Sequence, residues 1–159
     1  MNQTEWHLNV ATPALLRHAR NTYGSAMRKA LEAAGYDDLP RNGLYVIGGM
    51  AREGDGVPLG QLIAELRTSK QAAGQLVDAL VERGYLDRQV DPGDRRRLNV
   101  SLTEHGRAAA GVQAAARETV DRALEAQVGA ETVAAMRQGL AALIDIGRET
   151  GAADAGGAD

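Results

Sequence analysis

Apolar residues recur every three or four positions along most of this chain, the spacing that places them on one face of a helix. From Pro13 to Ala34 the pattern predicts a long amphipathic helix that ends at Gly35. Asp37 and Asp38 are expected to cap the next helix. The same spacing predicts five further helices. One lies around 44–50, one begins after Pro58, the next ends at about Arg83, and the last two begin after Thr103 and after Gly129.

One stretch departs from the helical pattern. Residues 98–102 alternate Leu, Val and Leu with Asn and Ser, the period of a strand with one buried face. Residues 86–90 supply its partner, and the Asp-Pro-Gly-Asp sequence at 91–94 is typical of a tight turn. Three consecutive arginines at 95–97 then lie at the tip of the hairpin. Because like charges repel, this tip favours a polyanionic partner.

Two short, closely joined helices precede this hairpin, which predicts a helix-turn-helix. The second helix has two candidate N-terminal caps, Ser69 or a capping box of Thr68 and Gln71, and it ends at Gly84. Its polar face can read base edges through Lys and Gln, or it can be an ordinary solvated surface. The residues of this face are Ser69, Lys70, Gln71, Gly74, Gln75 and Asp78.

The predicted fold is mainly α-helical with a small β-hairpin wing: a winged helix-turn-helix flanked by long helices. The flanking helices are rich in alanine, and they carry more apolar positions than the small central unit can cover. Their apolar faces therefore predict burial against a second copy of the chain, most simply in a twofold homodimer.

Composition narrows the classes of function. A chain of 159 residues suits one domain, and the absence of cysteine excludes disulfides and thiolate zinc sites. Without a signal-peptide pattern or an 18-residue apolar run, a cytoplasmic protein with no membrane contact is expected. The net charge of −3 argues mildly against nucleic-acid binding, although local charge can outweigh the total. The sequence contains no catalytic motif and no metal-ligand spacing, so we expect no enzyme activity, metal or cofactor.

The segment from Ser69 to Gly106 resembles the recognition helix and wing of the MarR family of transcription regulators. Asp94-x-Arg96, followed by Val100, Leu102-Thr103 and Gly106, is similar to the wing signature of that family. The resemblance implies that Arg96, supported by Asp94, enters a minor groove. It assigns DNA contacts to the recognition helix and the tip, namely Ser69, Lys70, Gln71, Gly74, Gln75, Asp94, Arg95, Arg96 and Arg97.

The resemblance also implies a division of the chain. Residues 10–36 and 104–149 correspond to dimerisation helices, residues 37–103 to the winged helix-turn-helix, and residues 150–159 to a disordered tail. The resemblance implies a homodimer that binds double-stranded DNA at a pseudo-palindromic operator and acts as a repressor, which is relieved when a ligand shifts the spacing of the two DNA-reading heads.

Members of this family often bind small aromatic or anionic effectors between the dimerisation and DNA-binding parts. In this chain the candidate ligand-binding residues are His18, Tyr23 and Tyr45, with Trp6 and His7 nearby in sequence. The alternative for Tyr23 and Tyr45 is a place in the core, and for His18 a place on the surface.

Two other functions remain open from the sequence. The acidic pI and the narrow polar face also fit a winged helix that binds an acidic protein partner through its arginines. A protein that keeps the fold but only sequesters a small molecule is the second alternative.

Overall fold

The computed structural model describes residues 3–54, 56–66 and 68–155, and within them it contains six α-helices and three strands. The chain forms two compact units, the first ending at Glu118 and the second beginning at Thr119. After a short 3-10 helix (Gln3–Asn9), the elements are α1 (Thr12–Ala33), α2 (Gly43–Glu53), β1 (Val57–Pro58), α3 (Leu59–Glu65), α4 (Lys70–Glu82), β2 (Leu86–Val90), β3 (Leu98–Leu102), α5 (Glu104–Val128) and α6 (Ala130–Ala155). This order confirms the predicted fold class.

The helix ends follow local chemistry at most positions. Ser69 caps α4, because its hydroxyl accepts a hydrogen bond from the Ala72 N–H at 3.2 Å. Thr103 caps α5 in the same way, accepting from the Gly106 N–H at 2.9 Å. The left-handed conformation of Gly129, at φ 83°, separates α5 from α6.

The predicted cap of α2 is wrong. That helix begins only at Gly43, after Asn42, and no side chain caps it. Asp38 instead accepts a hydrogen bond from the Tyr85 hydroxyl at 2.5 Å, far along the chain. The carboxylate is therefore committed to a long-range contact, which no local capping pattern reveals.

The three strands form one antiparallel sheet in the order β1-β3-β2. The hairpin pairs Leu86 with Leu102 and Arg88 with Val100, as the alternation predicts. Strand β1 was not expected from the sequence, because it consists of only Val57 and Pro58 and pairs with the far side of β3. It covers one edge of the hairpin and joins α2 to the sheet.

The core of the first unit lies where α2, α4 and the hairpin meet. Each of these elements contributes apolar side chains. The largest that are fully buried are Leu44, Ile47, Val77, Leu80, Tyr85, Leu86 and Val100. The N-terminal part of α5 closes this core with the small residues Ala109 and Ala110, which are also buried. Helix α4 and the β2–β3 hairpin thus share one apolar support.

Two glycines allow α5 to approach the rest of this unit closely. A Cβ at Gly106 would lie only 2.0 Å from the Tyr85 carbonyl oxygen, so no other residue fits there without a backbone shift. A Cβ at Gly48 of α2 would lie 2.4 Å from the Gln113 side chain. Gln113 uses this space to donate to the Leu44 carbonyl at 2.8 Å, which satisfies a buried amide.

The second unit is thinly packed. On α6 none of the described side chains is buried, and Met136, Leu143, Ile144 and Ile146 are 42–58% exposed. The helix continues to Ala155, into the segment that the sequence predicts as a tail, and residues 156–159 lie outside the described residues. An isolated helix with an exposed apolar face gains little stability by itself.

Replacing Gly106 with alanine is expected to lower the free energy of unfolding by about 3 kcal/mol or more, because the new methyl group meets a backbone carbonyl that cannot rotate away. Urea unfolding followed by circular dichroism measures the change. Gly111→Ala on the same helix is the control. It meets no atom within 4 Å and should raise stability by up to about 1 kcal/mol. Equal effects of the two substitutions would refute the close approach.

Candidate nucleic-acid interface

Helix α4 turns one face to the core and the other to solvent. Ala73, Val77 and Leu80 are completely buried. The predicted contact residues Ser69, Lys70, Gln71 and Gln75 are exposed, and Gly74 is half-buried. A Cβ at Gly74 would meet no atom within 4 Å, so packing within this chain does not require glycine at that position.

Asp78 lies on the same helix but is held by the wing. Its carboxylate pairs with Arg88 of β2, which reaches across from the hairpin. An exposed ion pair adds little stability, so its main effect here is geometric. The pair joins α4 to β2, and it offsets the one negative charge on the polar face of the helix.

Asp91 organises the base of the hairpin tip. One carboxylate oxygen accepts hydrogen bonds from the N–H groups of Gly93 (2.8 Å) and Asp94 (3.0 Å), and the other accepts from the Asn99 side chain (2.8 Å). The hydrogen bond from Asn99 and those from the two backbone amides hold the pKa of Asp91 below its ordinary value. The Asp91 N–H donates to the Arg97 carbonyl, which closes the loop.

Asp94 orients the arginines at the tip. It accepts from the Arg96 backbone N–H at 3.0 Å and from Arg96 Nε at 3.4 Å, and it lies 3.8 Å from Arg97 Nε. The predicted Asp94–Arg96 pair therefore forms, with one guanidinium nitrogen in contact. The side chain of Arg96 remains 92% exposed, so its guanidinium stays available for an external partner.

A polar and aromatic cluster supports the junction between α4 and the wing. The buried Tyr85 follows α4, and its ring lies 4.6 Å from that of His105 on α5 and 6.3 Å from that of Tyr36. Burial, together with the hydrogen bond to Asp38, raises the pKa of Tyr85, so the phenol stays protonated and donates. Arg83 also donates to the Asp38 carbonyl, which ties the loop after α1 to the end of α4.

The structure separates the candidate ligand-binding residues. Tyr45 is 37% exposed and lines a cavity of about 700 Å³ between α1 and α2. Tyr23 packs against the core, and His18 is exposed on α1, and neither lines that cavity. Trp6 and His7 form an edge-to-face pair in the 3-10 helix.

Sequence reasoning missed three features of this surface. It did not identify the anchoring roles of Asp91 and Arg88, because Asn99 comes near Asp91, and Asp78 near Arg88, only when the hairpin has folded against α4. It also missed the arginines of the α1–α2 cavity, although the spacing of Arg17 and Arg20 by three residues places both on one helix face.

The described part of the chain contains no cluster of three side chains that could hold a metal ion. Within the same residues, no helix is long and apolar enough to cross a membrane.

Because its pKa is lowered, the Asp91 carboxylate stabilises the folded tip at neutral pH, and this contribution is lost as the pH falls through the lowered pKa. We expect Asp91→Ala to increase amide hydrogen exchange at Gly93 and Asp94 at pH 7, and to remove most of the change that acid causes in the wild type. NMR exchange rates measure both effects. Asp87→Ala, in the same hairpin, is the control, and an equal response in it would contradict the anchoring role.

The comparisons with known sequences agree with the wing signature. The MarR family model matches residues 37–97, which extend from the loop before α2 to the end of the arginine tip. No curated protein sequence matches this chain significantly.

This chain covers nearly all of the length of several solved structures that have the same fold. FabT from Streptococcus pneumoniae in complex with DNA is 19% identical, with a TM-score of 0.74 over 87% of this chain and 96% of that chain. A MarR transcriptional regulator from Methanosarcina mazei Go1 is 20% identical, with a TM-score of 0.72 over 87% and 96%. S. aureus MepR in its DNA-binding conformation is 19% identical, with a TM-score of 0.71 over 86% and 98%. The family model and the fold both agree with the resemblance seen in the sequence: over residues 37–97 this chain is similar to the MarR family.

Proposed function

We propose that this protein is a cytoplasmic, homodimeric transcription repressor that binds double-stranded DNA and has no enzyme activity of its own. The proposal rests on one observation: a single compact unit presents two surfaces that can each contact DNA. The polar face of α4 and the arginine tip belong to one compact unit, and the pair between Asp78 and Arg88 joins them. This common support suits simultaneous contact with two adjacent grooves of one duplex.

Each protomer would place α4 in a major groove and residues 91–97 in the neighbouring minor groove. Lys70, Gln71 and Gln75 carry the donors and acceptors that can reach base edges, and Ser69 can donate to a phosphate. Gly74 would let the helix backbone come close to the duplex. This role fits its position, because no atom of the chain occupies the space beside it.

Arg96 is the best candidate for the minor groove. Its guanidinium is almost fully exposed, yet Asp94 restricts its direction, so binding costs less side-chain entropy than for a free arginine. Arg95 and Arg97 flank it and are suited to phosphates. This local concentration of charge is compatible with the acidic net charge of the chain, since association depends on the field near the surface.

Two of the structural neighbours support this proposal. FabT is seen in complex with DNA, and S. aureus MepR is seen both in its DNA-binding conformation and as a DNA complex. Because these proteins are less than 25% identical to this chain, they support the mode of binding and leave the operator sequence open.

The exposed apolar residues of α6 support the proposed dimer. Leu143, Ile144 and Ile146 lie within one turn and are 46–58% exposed, which is costly for a helix in water. A second copy that packs against residues 104–149 and 10–36 would bury them. Two reading heads would then recognise a pseudo-palindrome with half-sites about one helical turn apart.

We further propose that a small effector relieves repression. Tyr45 is the candidate residue that supports this best, because it lines a cavity beside α1. His18 and Tyr23 remain candidates only if the ligand extends beyond that cavity or if a second copy of the chain completes the site.

Arg96→Ala is expected to weaken DNA binding by roughly 1–3 kcal/mol, because it removes the guanidinium from the minor groove. Fluorescence anisotropy with the duplex that lies immediately upstream of the gene, titrated with salt, measures the affinity. Arg148→Ala is the control, since it removes one charge from α6, where Arg148 pairs with Asp145 at 3.3 Å.

Equal effects of these two substitutions would show that only net charge matters for DNA binding, and they would refute the assignment of Arg96 to the minor groove. The absence of any salt-dependent binding to duplex DNA would favour an acidic protein as the partner of the arginines.

Leu143→Glu is expected to raise the dimer dissociation constant by about tenfold or more, because it places an unpaired charge in the proposed interface. Sedimentation velocity over a concentration series measures the shift. Gln138→Glu, which adds the same charge at an exposed polar position of α6, should leave association nearly unchanged. A wild-type chain that sediments as a folded monomer would refute the dimer.

A further inference from the structure

We infer that the cavity between α1 and α2 binds a small molecule that carries two or more separated anionic groups, phosphates or carboxylates. The cavity measures about 700 Å³, which is within the range of small-ligand sites. Four arginines line it: Arg17, Arg20 and Arg28 from α1, and Arg41 from the loop before α2.

No carboxylate lines this cavity, and none of the four arginines forms an ion pair with a residue that the structure describes. Some arginines elsewhere in the described chain do form ion pairs, such as Arg88 with Asp78 and Arg148 with Asp145. Four like charges around one concave space repel each other, and an anion inside the cavity would remove that cost. The charge distribution therefore indicates a ligand of multiple negative charge.

The spacing of the arginines indicates a ligand of some length. Arg17 and Arg28 are about 16 Å apart along the axis of α1 at the usual rise per residue. Arg41 lines the cavity from the loop before α2, and its carbonyl accepts a hydrogen bond from the Arg28 guanidinium at 3.0 Å. A single compact anion cannot contact all four guanidinium groups, whereas two or three linked anionic groups can reach several of them.

One arginine is already held in place. The guanidinium of Arg20 lies over the Tyr45 ring, 4.6 Å from its centre. Gly24 permits this arrangement, because a Cβ there would lie 3.1 Å from the Tyr45 hydroxyl. The side chains of Asn21, Ser25 and Asn42 also line the cavity and add neutral hydrogen-bonding groups. These features provide orientation for a bound anion as well as attraction.

The cavity joins two parts of the chain with different proposed roles. α1 belongs to the proposed dimerisation helices, and Arg41 and Tyr45 belong to the winged helix-turn-helix. An anion that bridges them would couple the two parts, and this regulatory meaning rests on the proposed function. Binding itself does not, since it requires only the arginines and the space between them.

Isothermal titration calorimetry and thermal unfolding of the full chain test the site with tripolyphosphate, citrate and inorganic phosphate as probes. Tripolyphosphate or citrate should raise Tm and bind more tightly than phosphate at equal ionic strength, and their ranking distinguishes phosphates from carboxylates. Arg20→Gln and Arg41→Gln should each weaken binding roughly 10- to 100-fold. Arg52→Gln, on α2 outside the cavity, should not change it.

Equal binding by Arg20→Gln, Arg41→Gln and the wild type would overturn the proposal, as would the absence of binding at millimolar concentration. DNA affinity measured without the probe should be unchanged in both cavity variants. A loss of DNA affinity without probe binding would instead assign the arginines to duplex phosphates. A loss of dimer would assign them to carboxylates of a second copy. Because probe binding is measured without DNA, the site and the proposed repressor function can fail independently.

Discussion

The placement of Tyr85 is the constraint on which the rest of the first unit depends. This residue is completely buried between α4 and the hairpin, and its backbone N–H, its carbonyl and its hydroxyl all form hydrogen bonds. Its carbonyl accepts from the Thr103 N–H at 3.1 Å, directly above Gly106, and its hydroxyl donates to Asp38. The start of α5, the loop after α1 and the base of the hairpin therefore meet at one residue. A shift there would move the arginine tip relative to α4.

The elements that the sequence predicts well are those whose signals are local. The period of the apolar residues and the glycines with positive φ locate the helices to within a residue or two, as at Ala33 and Glu82. The elements that it does not predict depend on distant partners. Asp38 looks like a helix cap until Tyr85, 47 residues away, takes its carboxylate. Strand β1 exists only because β3 provides an edge for it.

The residues of the candidate site also fall into those with local sequence signals and those that depend on contacts made in the fold. The tip and the exposed face of α4 follow from turn chemistry and helix periodicity, so the sequence identifies residues such as Gln71 and Arg96. The ion pair of Arg88 with Asp78 and the shared cavity of Arg41 and Arg20 each join residues of different structural elements, which only the fold brings together. Charge alone does not reveal such pairs, because any of the acidic residues nearby in sequence is an equally good partner for an arginine until the fold selects one.

The hairpin tip has a consequence for how binding preferences can diverge among relatives of this chain. The hydrogen bonds that shape it connect residues 91–99 to one another, with the side chains of Asp91 and Asp94 and the carbonyl groups of Asp94 and Arg97 as acceptors. The loop is thus a self-contained module whose form does not depend on the identity of the side chains on the outer face of α4. Under the proposed function, changes at Gln71 or Gln75 would alter which bases are read while the conformation of the tip is preserved, so that new operators would become accessible by single substitutions without refolding.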